Sequence, residues 1–226
     1  MIVLALDSSA AACSVAIRDD AGTLLAHRRK AMMRGHAELL MPMVRETMAE
    51  AGVDFTALAL IAATTGPGSF TGIRVGLSAS RGLALASGLP VLGVTAFDAI
   101  AAAVPPREWA GRTLMVAIDS RRGDFFIELF AGDGTPLAAP AAVTSDGLAE
   151  IVPAGALLLA GDGARRAEAV LAAVGCPAIL SGAVGAPDAA HVATVAVARW
   201  RLGERPMPPL PLYLRAPDVT LAPVRR

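Results

Sequence analysis

The chain contains one short pattern twice, and this repeat constrains the fold more than any other feature. Val3-Leu-Ala-Leu-Asp7-Ser8 is matched position for position by Met115-Val-Ala-Ile-Asp119-Ser120. Each copy indicates an apolar strand that ends in Asp-Ser, and further strands and helices follow each copy. A strand meander followed by alternating helices and strands, started twice, predicts a duplicated α/β domain. We expect a mixed sheet in each half and a cleft between the halves, where ligands usually bind.

The proline content suggests where the halves meet. Pro105-Pro106 is typical of a linker, so we expect an N-terminal lobe at residues 1–106 and a C-terminal lobe at 107–205. A proline-rich tail follows at 206–226 and cannot form one regular element. Within it, Leu212-Tyr-Leu214 could add an edge strand.

Composition restricts the location and the partners. Although 54% of the 226 residues are hydrophobic, no apolar run is long enough to span a bilayer, and Asp98 interrupts the best candidate. The N-terminus lacks a basic region and reaches Asp7 almost at once, so we expect no signal peptide and a cytoplasmic protein. Cys13 and Cys176 lie in different halves, which predicts neither a disulfide framework nor a metal site.

The charge balance of the chain indicates whether it could bind nucleic acid by itself. The chain has 20 basic and 20 acidic residues and a formal net charge of zero. Proteins that bind nucleic acid by themselves usually carry a basic surplus. Any role on RNA should therefore depend on a partner.

A glycine-rich stretch stands out in the first half. An apolar run at 58–63 predicts a buried strand, and Gly66-Pro-Gly68 then forces a turn. Ser69 or Thr71 can cap the helix that follows, which Gly88 should end.

This helix carries a stripe of small residues. Gly72, Gly76, Ser80 and Ala84 recur every four positions, so one face has almost no side-chain volume. Each glycine weakens a helix by roughly 1 kcal/mol relative to alanine, which suggests that something approaches this backbone closely. Three alternatives remain: packing against the chain's own sheet or helix, contact with a helix of another chain, or a phosphate at the turn. The phosphate alternative is weak because no Gly-Lys-Ser/Thr follows.

Polar residues near the predicted cleft suggest nucleotide chemistry. Asp7 and Asp119 should lie at the carboxyl ends of central strands, where they could hold magnesium and phosphate or orient a nucleophile. Alternatively, each carboxylate only caps a turn. Before a predicted helix, Gly161-Asp162-Gly163 could contact a nucleotide or form a plain loop. The candidate cleft residues are Asp7, Ser8, Asp119, Gly161, Asp162 and Gly163.

Other catalytic patterns are lacking from the sequence. His27, His36 and His191 have no partner at metal-site spacing, so we predict no metal site in this chain. No nucleophile elbow, Cys/His pair or dinucleotide-binding fingerprint is present. The chain has the pattern of a nucleotide-cleft fold with little catalytic equipment.

Several motifs together resemble the TsaB (formerly YeaZ) family of bacterial tRNA threonylcarbamoyladenosine biosynthesis proteins. The Gly66–Gly82 block is the specific one, and the matches run from the first strand to the tail. They are Leu4-Ala-Leu-Asp7-Ser-Ser9, Cys13-Ser-Val-Ala-Ile17, His36-Ala-Glu-Leu-Leu40, Gly66-Pro-Gly-Ser-Phe-Thr-Gly-Ile-Arg74-Val-Gly76-Leu-Ser, Gly82-Leu-Ala and Pro211-Leu-Tyr-Leu-Arg215.

The resemblance implies a fold and a role. The fold is the duplicated actin-like ATPase (ASKHA) fold. The role is to bind TsaD, the catalytic paralogue, which with the ATPase TsaE moves threonylcarbamoyl from an adenylate to the adenosine next to the tRNA anticodon. Any ATP, ADP or magnesium is expected in that complex, and tRNA is expected to bind only through it.

One departure from the catalytic paralogue is informative. The paralogue carries a His-x-x-x-His metal motif just after the strand that follows the small-faced helix. By that alignment its histidines fall at Ala96 and Ile100, whose side chains cannot bind a metal. The resemblance therefore implies a scaffold or activator. The alternatives are a free-standing ASKHA phosphotransferase that uses Asp7 and Asp119, and a protease.

We expect two helices to form the partner surface. The helix at 35–51 has apolar residues off its main stripe, including Leu39 and the flexible Met43. With the small-faced helix it could form half of a helical bundle, completed by the same helices of TsaD or of a second copy of this chain in a homodimer. The candidate interface residues are His36, Leu39, Leu40, Met43, Gly72, Ile73, Gly76, Ser80 and Ala84.

Overall fold

The computed structural model describes residues 1–183, 185–204 and 209–215. Within them the strands form two five-stranded mixed sheets. The first half contains β1 (Ile2–Ala10), β2 (Ala12–Asp19), β3 (Leu24–Ala31), α1 (His36–Ala51), β4 (Leu60–Gly66), α2 (Phe70–Ser87), β5 (Val91–Thr95) and α3 (Ala96–Ala101). The second half contains α4 (Pro106–Trp109), β6 (Thr113–Asp119), β7 (Phe125–Phe130), β8 (Ala141–Val143), β9 (Leu157–Ala160), α5 (Ala164–Ala173), β10 (Ile179–Leu180) and α6 (Ala189–Arg201).

The two sheets have the same topology. Their strand orders are β3-β2-β1-β4-β5 and β10-β9-β6-β7-β8. In the first, β1 pairs antiparallel with β2 and parallel with β4. In the second, β6 pairs antiparallel with β7 and parallel with β9. The repeated sequence pattern thus occupies the central strand of each sheet, which confirms the predicted duplicated α/β fold of the ASKHA type.

The central strand of the first half continues past its predicted end. The sequence places its end near Asp7, but β1 runs to Ala10 and Asp7 pairs with Ser14 of β2. A register shift between Asp7 and Ala10 lets the pairing resume beyond the serines. The predicted position of Asp7 and Ser8 at a strand end is therefore wrong.

The helices of the first half follow their local signals. Ser69 caps α2 by accepting a hydrogen bond from the Gly72 amide, and Gly88 ends it in the left-handed conformation at φ 71°. α1 begins at His36, and Pro42 lies inside it.

The two halves exchange helices across their boundary. From the second half, α6 packs its small apolar residues, such as Val192 and Ala196, against Val3 and Ala5 of the first sheet. From the first half, Phe97 of α3 lies in the core that covers the second sheet. The domain limits at residues 106 and 205 stay a prediction, but α6 is a layer of the first lobe and not of the second.

The tail departs from its prediction. Residues 212–214 form no strand; the Leu212 amide donates a hydrogen bond to the Thr65 carbonyl at 2.8 Å. Positions 206–208 and 216–226 of the predicted tail, and position 205 of the predicted C-terminal lobe, lie outside the described residues. None of the described helices combines the length and the apolar character that a membrane span requires.

Candidate functional site

The small stripe of α2 packs against β1 of the same chain. A Cβ atom added to Gly72 would lie 2.0 Å from the Ser8 carbonyl oxygen, and one added to Gly76 would lie 2.9 Å from Ser8 Oγ. Ser8 Oγ also donates a hydrogen bond of 2.8 Å to the Gly72 carbonyl. The backbone that approaches α2 is therefore the chain's own central strand, which is the first of the three alternatives.

This packing corrects most of the predicted interface residues. Side chains in the monomer core have little surface left for contact with a second chain, because the sheet already covers them. The buried members of that set are Leu40, Met43, Gly72, Ile73, Gly76 and Ser80. Leu39 and Ala84 are half-buried, and His36 is hydrogen-bonded to the Ala10 carbonyl at 3.0 Å. Ser8, expected in the cleft, belongs to the same α2–β1 contact.

The opposite side of the two helices is an exposed apolar surface, which we call the α1–α2 face. A groove of about 490 Å³ runs between the helices. It is lined by Ala37, Leu40, Met41, Phe70, Thr71, Arg74, Val75, Ser78 and Ala79. A second cavity of about 540 Å³ continues along the helices to Phe55 and Leu83. Leu40 is one of the predicted interface residues, whereas the other residues that line the two cavities differ from the predicted ones. That these helices bind a partner stays a prediction.

Large apolar side chains of this face reach solvent. Met41 is 43% exposed and Phe70 47%. Contiguous exposed apolar surface is typical of protein interaction sites. Neither Met41 nor Phe70 is among the interface residues predicted from the sequence. Periodicity did not identify Phe70, because the first residue of a capped helix has no periodicity of its own.

Asp7 is enclosed in the first lobe. It is 0% exposed, and its Oδ1 accepts hydrogen bonds from Ser9 Oγ at 2.7 Å and from the Ser9 amide at 3.2 Å. Among the described residues, neither Asp7 Oδ2 nor the buried Thr64 Oγ1 has a hydrogen-bond partner. Desolvation by burial raises the pKa of Asp7, and the nearby Ser9 and Thr64 side chains oppose part of that rise. The expectation that Asp7 faces the cleft is wrong, because β1 carries it beneath the protein surface.

The second predicted carboxylate lies in a cluster with two arginines. The Asp119 amide donates to Asp162 Oδ1 at 3.0 Å, so these two candidate cleft residues are in direct contact. Arg121 Nη2 lies 3.2 Å from Asp162 Oδ2, and Arg166 Nη2 lies 3.4 Å from Asp119 Oδ1. Burial raises the pKa of Asp162, and the Arg121 charge opposes that rise. Each carboxylate therefore has a cation of this chain beside it.

The glycines around Asp162 have a packing role. A Cβ atom on Gly161 would lie 2.2 Å from the Ala117 carbonyl oxygen, and one on Gly163 would lie 3.1 Å from the same atom. Gly161 has φ 100°, a value that favours glycine. These residues let the loop before α5 lie directly on β6.

Of the predicted nucleotide residues, Asp162 borders one of the cavities between the halves, whereas Asp7 and Asp119 border neither. One of about 100 Å³ is bordered by Arg121 and Asp162, and small-molecule sites usually measure about 300–1,000 Å³. Another of about 410 Å³ is lined by the 67–70 turn, Ser120, Arg122, Phe126 and residues 212–215. The sequence did not identify this second cavity, since its walls come from three distant segments.

The positions of the paralogue's metal motif are part of the core. Ala96 and Ile100 lie on α3 and are 0% and 2% exposed. Thr95 and Asp98 cap this helix reciprocally. Across the described part of the chain, no group of three or more His, Cys, Asp or Glu side chains is placed to hold a metal ion.

Comparison with known proteins gives concordant results. The TsaD family model, described as tRNA N6-adenosine threonylcarbamoyltransferase, matches residues 27–183. The tRNA threonylcarbamoyladenosine biosynthesis protein TsaB of Escherichia coli is 38% identical over 126 residues, which are 56% of this chain and 53% of that protein. This match thus spans about half of the E. coli relative. An uncharacterized protein of Mycobacterium tuberculosis is 33% identical over 218 residues, covering 96% of this chain and 92% of that protein.

A solved structure agrees over nearly the full length. YeaZ from Pseudomonas aeruginosa superposes with a TM-score of 0.78 at 30% identity, covering 94% of this chain and 99% of that one. The duplicated fold, the α2 packing and these relatives lead to one conclusion. The chain belongs to the TsaB (YeaZ) family, within the wider TsaD family.

Proposed function

We propose that this chain is a non-catalytic subunit that binds and activates a TsaD enzyme in threonylcarbamoyladenosine synthesis. In that reaction the threonylcarbamoyl group of threonylcarbamoyl-adenylate passes to the adenosine next to the anticodon, in tRNAs that read codons beginning with A. The observation that carries the proposal is a TsaD-family match together with a core alanine and isoleucine, Ala96 and Ile100, where the paralogue has histidines. An alkyl side chain supplies no ligand for a catalytic metal.

The α1–α2 face supports a TsaD-type partner. Its groove and the adjoining cavity are lined mainly by apolar side chains that the monomer leaves partly exposed, among them Met41, Val75 and Leu83. A TsaD partner shares the family fold and therefore carries two corresponding helices. Two such pairs can pack around a pseudo-two-fold axis, because each presents a similar surface to the other. Methionine suits this contact, since its flexible side chain adapts to a partner that is similar but not identical.

The other components belong to the complex rather than to this chain. A net charge of zero supports tRNA binding through the assembled complex. The arginines beside Asp119 and Asp162 offset the negative charge that a magnesium ion would require. We therefore assign ATP or ADP and magnesium to TsaD and TsaE.

A second copy of this chain competes for the same surface. Its α1 and α2 are identical, so a symmetric homodimer would bury the α1–α2 face that TsaD needs. On this proposal the homodimer dissociates when TsaD is added, which light scattering measures directly.

The test uses one arginine substitution on each helix of the groove. Ala37 on α1 and Ser78 on α2 are exposed groove residues, so Ala37→Arg and Ser78→Arg should fold normally. Each places a charge in an apolar contact and should weaken TsaD binding more than about tenfold. Ala172→Arg, on an exposed position of α5 in the other lobe, is the matched control. Calorimetry measures binding, and tRNA modification is measured in a reconstituted mixture with TsaD and TsaE.

Two outcomes would contradict the proposal. One is wild-type affinity for TsaD in both folded groove variants. The other is an unchanged rate of threonylcarbamoyladenosine formation when this chain is left out. ATP-dependent phosphoryl transfer by the purified chain alone would favour the phosphotransferase alternative, and peptide hydrolysis abolished by a chelator would favour the protease.

A further inference from the structure

A C-terminal segment, residues 209–215, crosses from one half of the molecule to the other; we call it the strap. Near its centre the Leu212 amide donates to the Thr65 carbonyl of β4 at 2.8 Å. At its end Arg215 pairs with Asp124, next to β7 in the second half. Leu212 and Leu214 pack on the apolar cluster that covers the second sheet. The strap thus joins both lobes.

Two glycines of the first lobe admit the strap. A Cβ atom on Gly66 would lie 2.9 Å from the Leu212 carbonyl oxygen, and one on Gly93 would lie 2.9 Å from Pro209 Cβ. Any larger residue at either position would displace the strap. Its path is therefore built into the end of β4 and the middle of β5, and the strap is an integral part of the fold.

The strap also runs along the outer side of α2. Arg81 donates a hydrogen bond to the Pro209 carbonyl, and Arg74 Nε donates to the Tyr213 hydroxyl at 3.1 Å. The Phe70 and Tyr213 rings have centroids 5.3 Å apart, and Arg74 Cζ lies 3.8 Å from the Phe70 centroid. Both geometries are favourable for ring pairs and for cation–π contacts.

Two residues held by Tyr213 also line the groove of the α1–α2 face. Phe70 and Arg74 border that groove, whereas Tyr213 is not among the residues that line it. Tyr213 is 40% exposed and contacts both from the side. A helix that entered the groove would meet side chains whose orientation the strap has already set. Ordering side chains before association lowers the entropic cost of binding.

We propose that the strap is a positioning element of the partner surface: Tyr213 holds Phe70 and Arg74 in the orientation that a TsaD-type subunit binds. This inference rests on the proposed function. The partner segment that fits is an apolar helix with a carboxylate or carbonyl oxygen near Arg74, because the guanidinium has further N–H donors beyond the one given to Tyr213. Through Tyr213, the contact between the lobes is coupled to partner binding.

The test compares three strap variants in the full-length chain with its TsaD partner. Tyr213→Ala should weaken binding roughly tenfold, since it removes the ring contact and the hydrogen bond. Tyr213→Phe keeps the ring and should weaken binding less. Leu210→Ala changes a residue of the same segment that is 77% exposed, and it should bind like wild type. Calorimetry gives Kd at a temperature where melting curves show each variant fully folded.

A double-mutant cycle separates positioning from general stability. If Tyr213 acts through Phe70, then Phe70→Ala and Tyr213→Ala together should weaken binding by less than the product of their separate effects. A merely structural strap would change the melting temperature without this coupling in Kd.

Wild-type Kd in folded Tyr213→Ala would overturn the inference, as would fully independent effects in the cycle. If Tyr213→Ala unfolds, the Kd of Tyr213→Phe tests the inference instead. A wild-type Kd for Tyr213→Phe would then contradict it. The groove variants Ala37→Arg and Ser78→Arg distinguish a failure of the proposed function from a failure of the strap inference alone. If they too bind normally, the proposed function fails and the inference fails with it. If they lose binding while both Tyr213 variants keep it, only the role of the strap is wrong.

Discussion

At the scale of the residue, the buried carboxyl of Glu128 on β7 makes stability depend on pH. It is 8% exposed; burial raises its pKa from 4.5 to about 7, Asp98 adds to the rise and Arg199 opposes it. The folded chain keeps this proton up to a higher pH than the unfolded chain, so the stabilising contribution is complete below pH 4.5 and is lost as pH rises through about 7. Between about pH 5 and 8, the free energy of unfolding should therefore fall less in Glu128→Gln than in wild type. The difference should be about 2 kcal/mol after allowance for solvent screening. Thermal melts at both pH values measure this, with the exposed Glu150→Gln as control; equal losses in wild type and Glu128→Gln would contradict it. The buried Asp7 shifts in the same direction, so the test is the difference between the two proteins.

At the scale of the element, alanine substitutions at different glycines of α2 should have opposite effects on stability. Gly72 and Gly76 face Ser8 at distances that exclude a Cβ atom, whereas Gly82 has no atom of the described residues within 4 Å of an added Cβ. Gly72→Ala should destabilise the fold by about 3 kcal/mol through overpacking against backbone. Gly82→Ala should stabilise it by about 0.5–1 kcal/mol, because alanine favours the helix. Urea unfolding of the two variants measures both changes in stability. Destabilisation by Gly82→Ala would show that a neighbour occupies the space beside Gly82. For the same reason Gly76→Arg should unfold the chain.

At the scale of the whole molecule, the exchanged helices should make the two lobes unfold together. The two tryptophans report on different cores: Trp200 packs on the cluster of the first sheet, and Trp109 lies edge-to-face with Phe130 in the second. Because α3 places Ala99 in the core of the first sheet and Phe97 in the core of the second, neither core can open without exposing the apolar surface of its neighbour. Trp109→Phe and Trp200→Phe should therefore give coincident urea transitions when each remaining tryptophan is followed by fluorescence. Midpoints that differ clearly, after correction for the stability effect of each substitution, would mean that the lobes unfold independently.

Local signals in the sequence determined much of the secondary structure and the duplication. The repeated apolar strands ending in Asp-Ser predicted the two sheets, Ser69 and Gly88 marked the ends of α2, and the small stripe showed that its backbone is closely approached. These features depend on residues within one or two turns of each other, so propensity and periodicity are sufficient to find them.

Only the tertiary structure decided what each feature contacts. Periodicity indicates that a helix face is small, but not whether β1 or another chain packs on it. The same limit applies to Asp7, whose burial depends on how far β1 continues, and to α6, which follows the second sheet in sequence but packs on the first. The strap is the clearest case, because Tyr213 meets Phe70 across 143 positions of sequence and only the folded chain brings the two rings together. Such contacts depend on the summed packing of distant segments, which no local pattern of residues encodes.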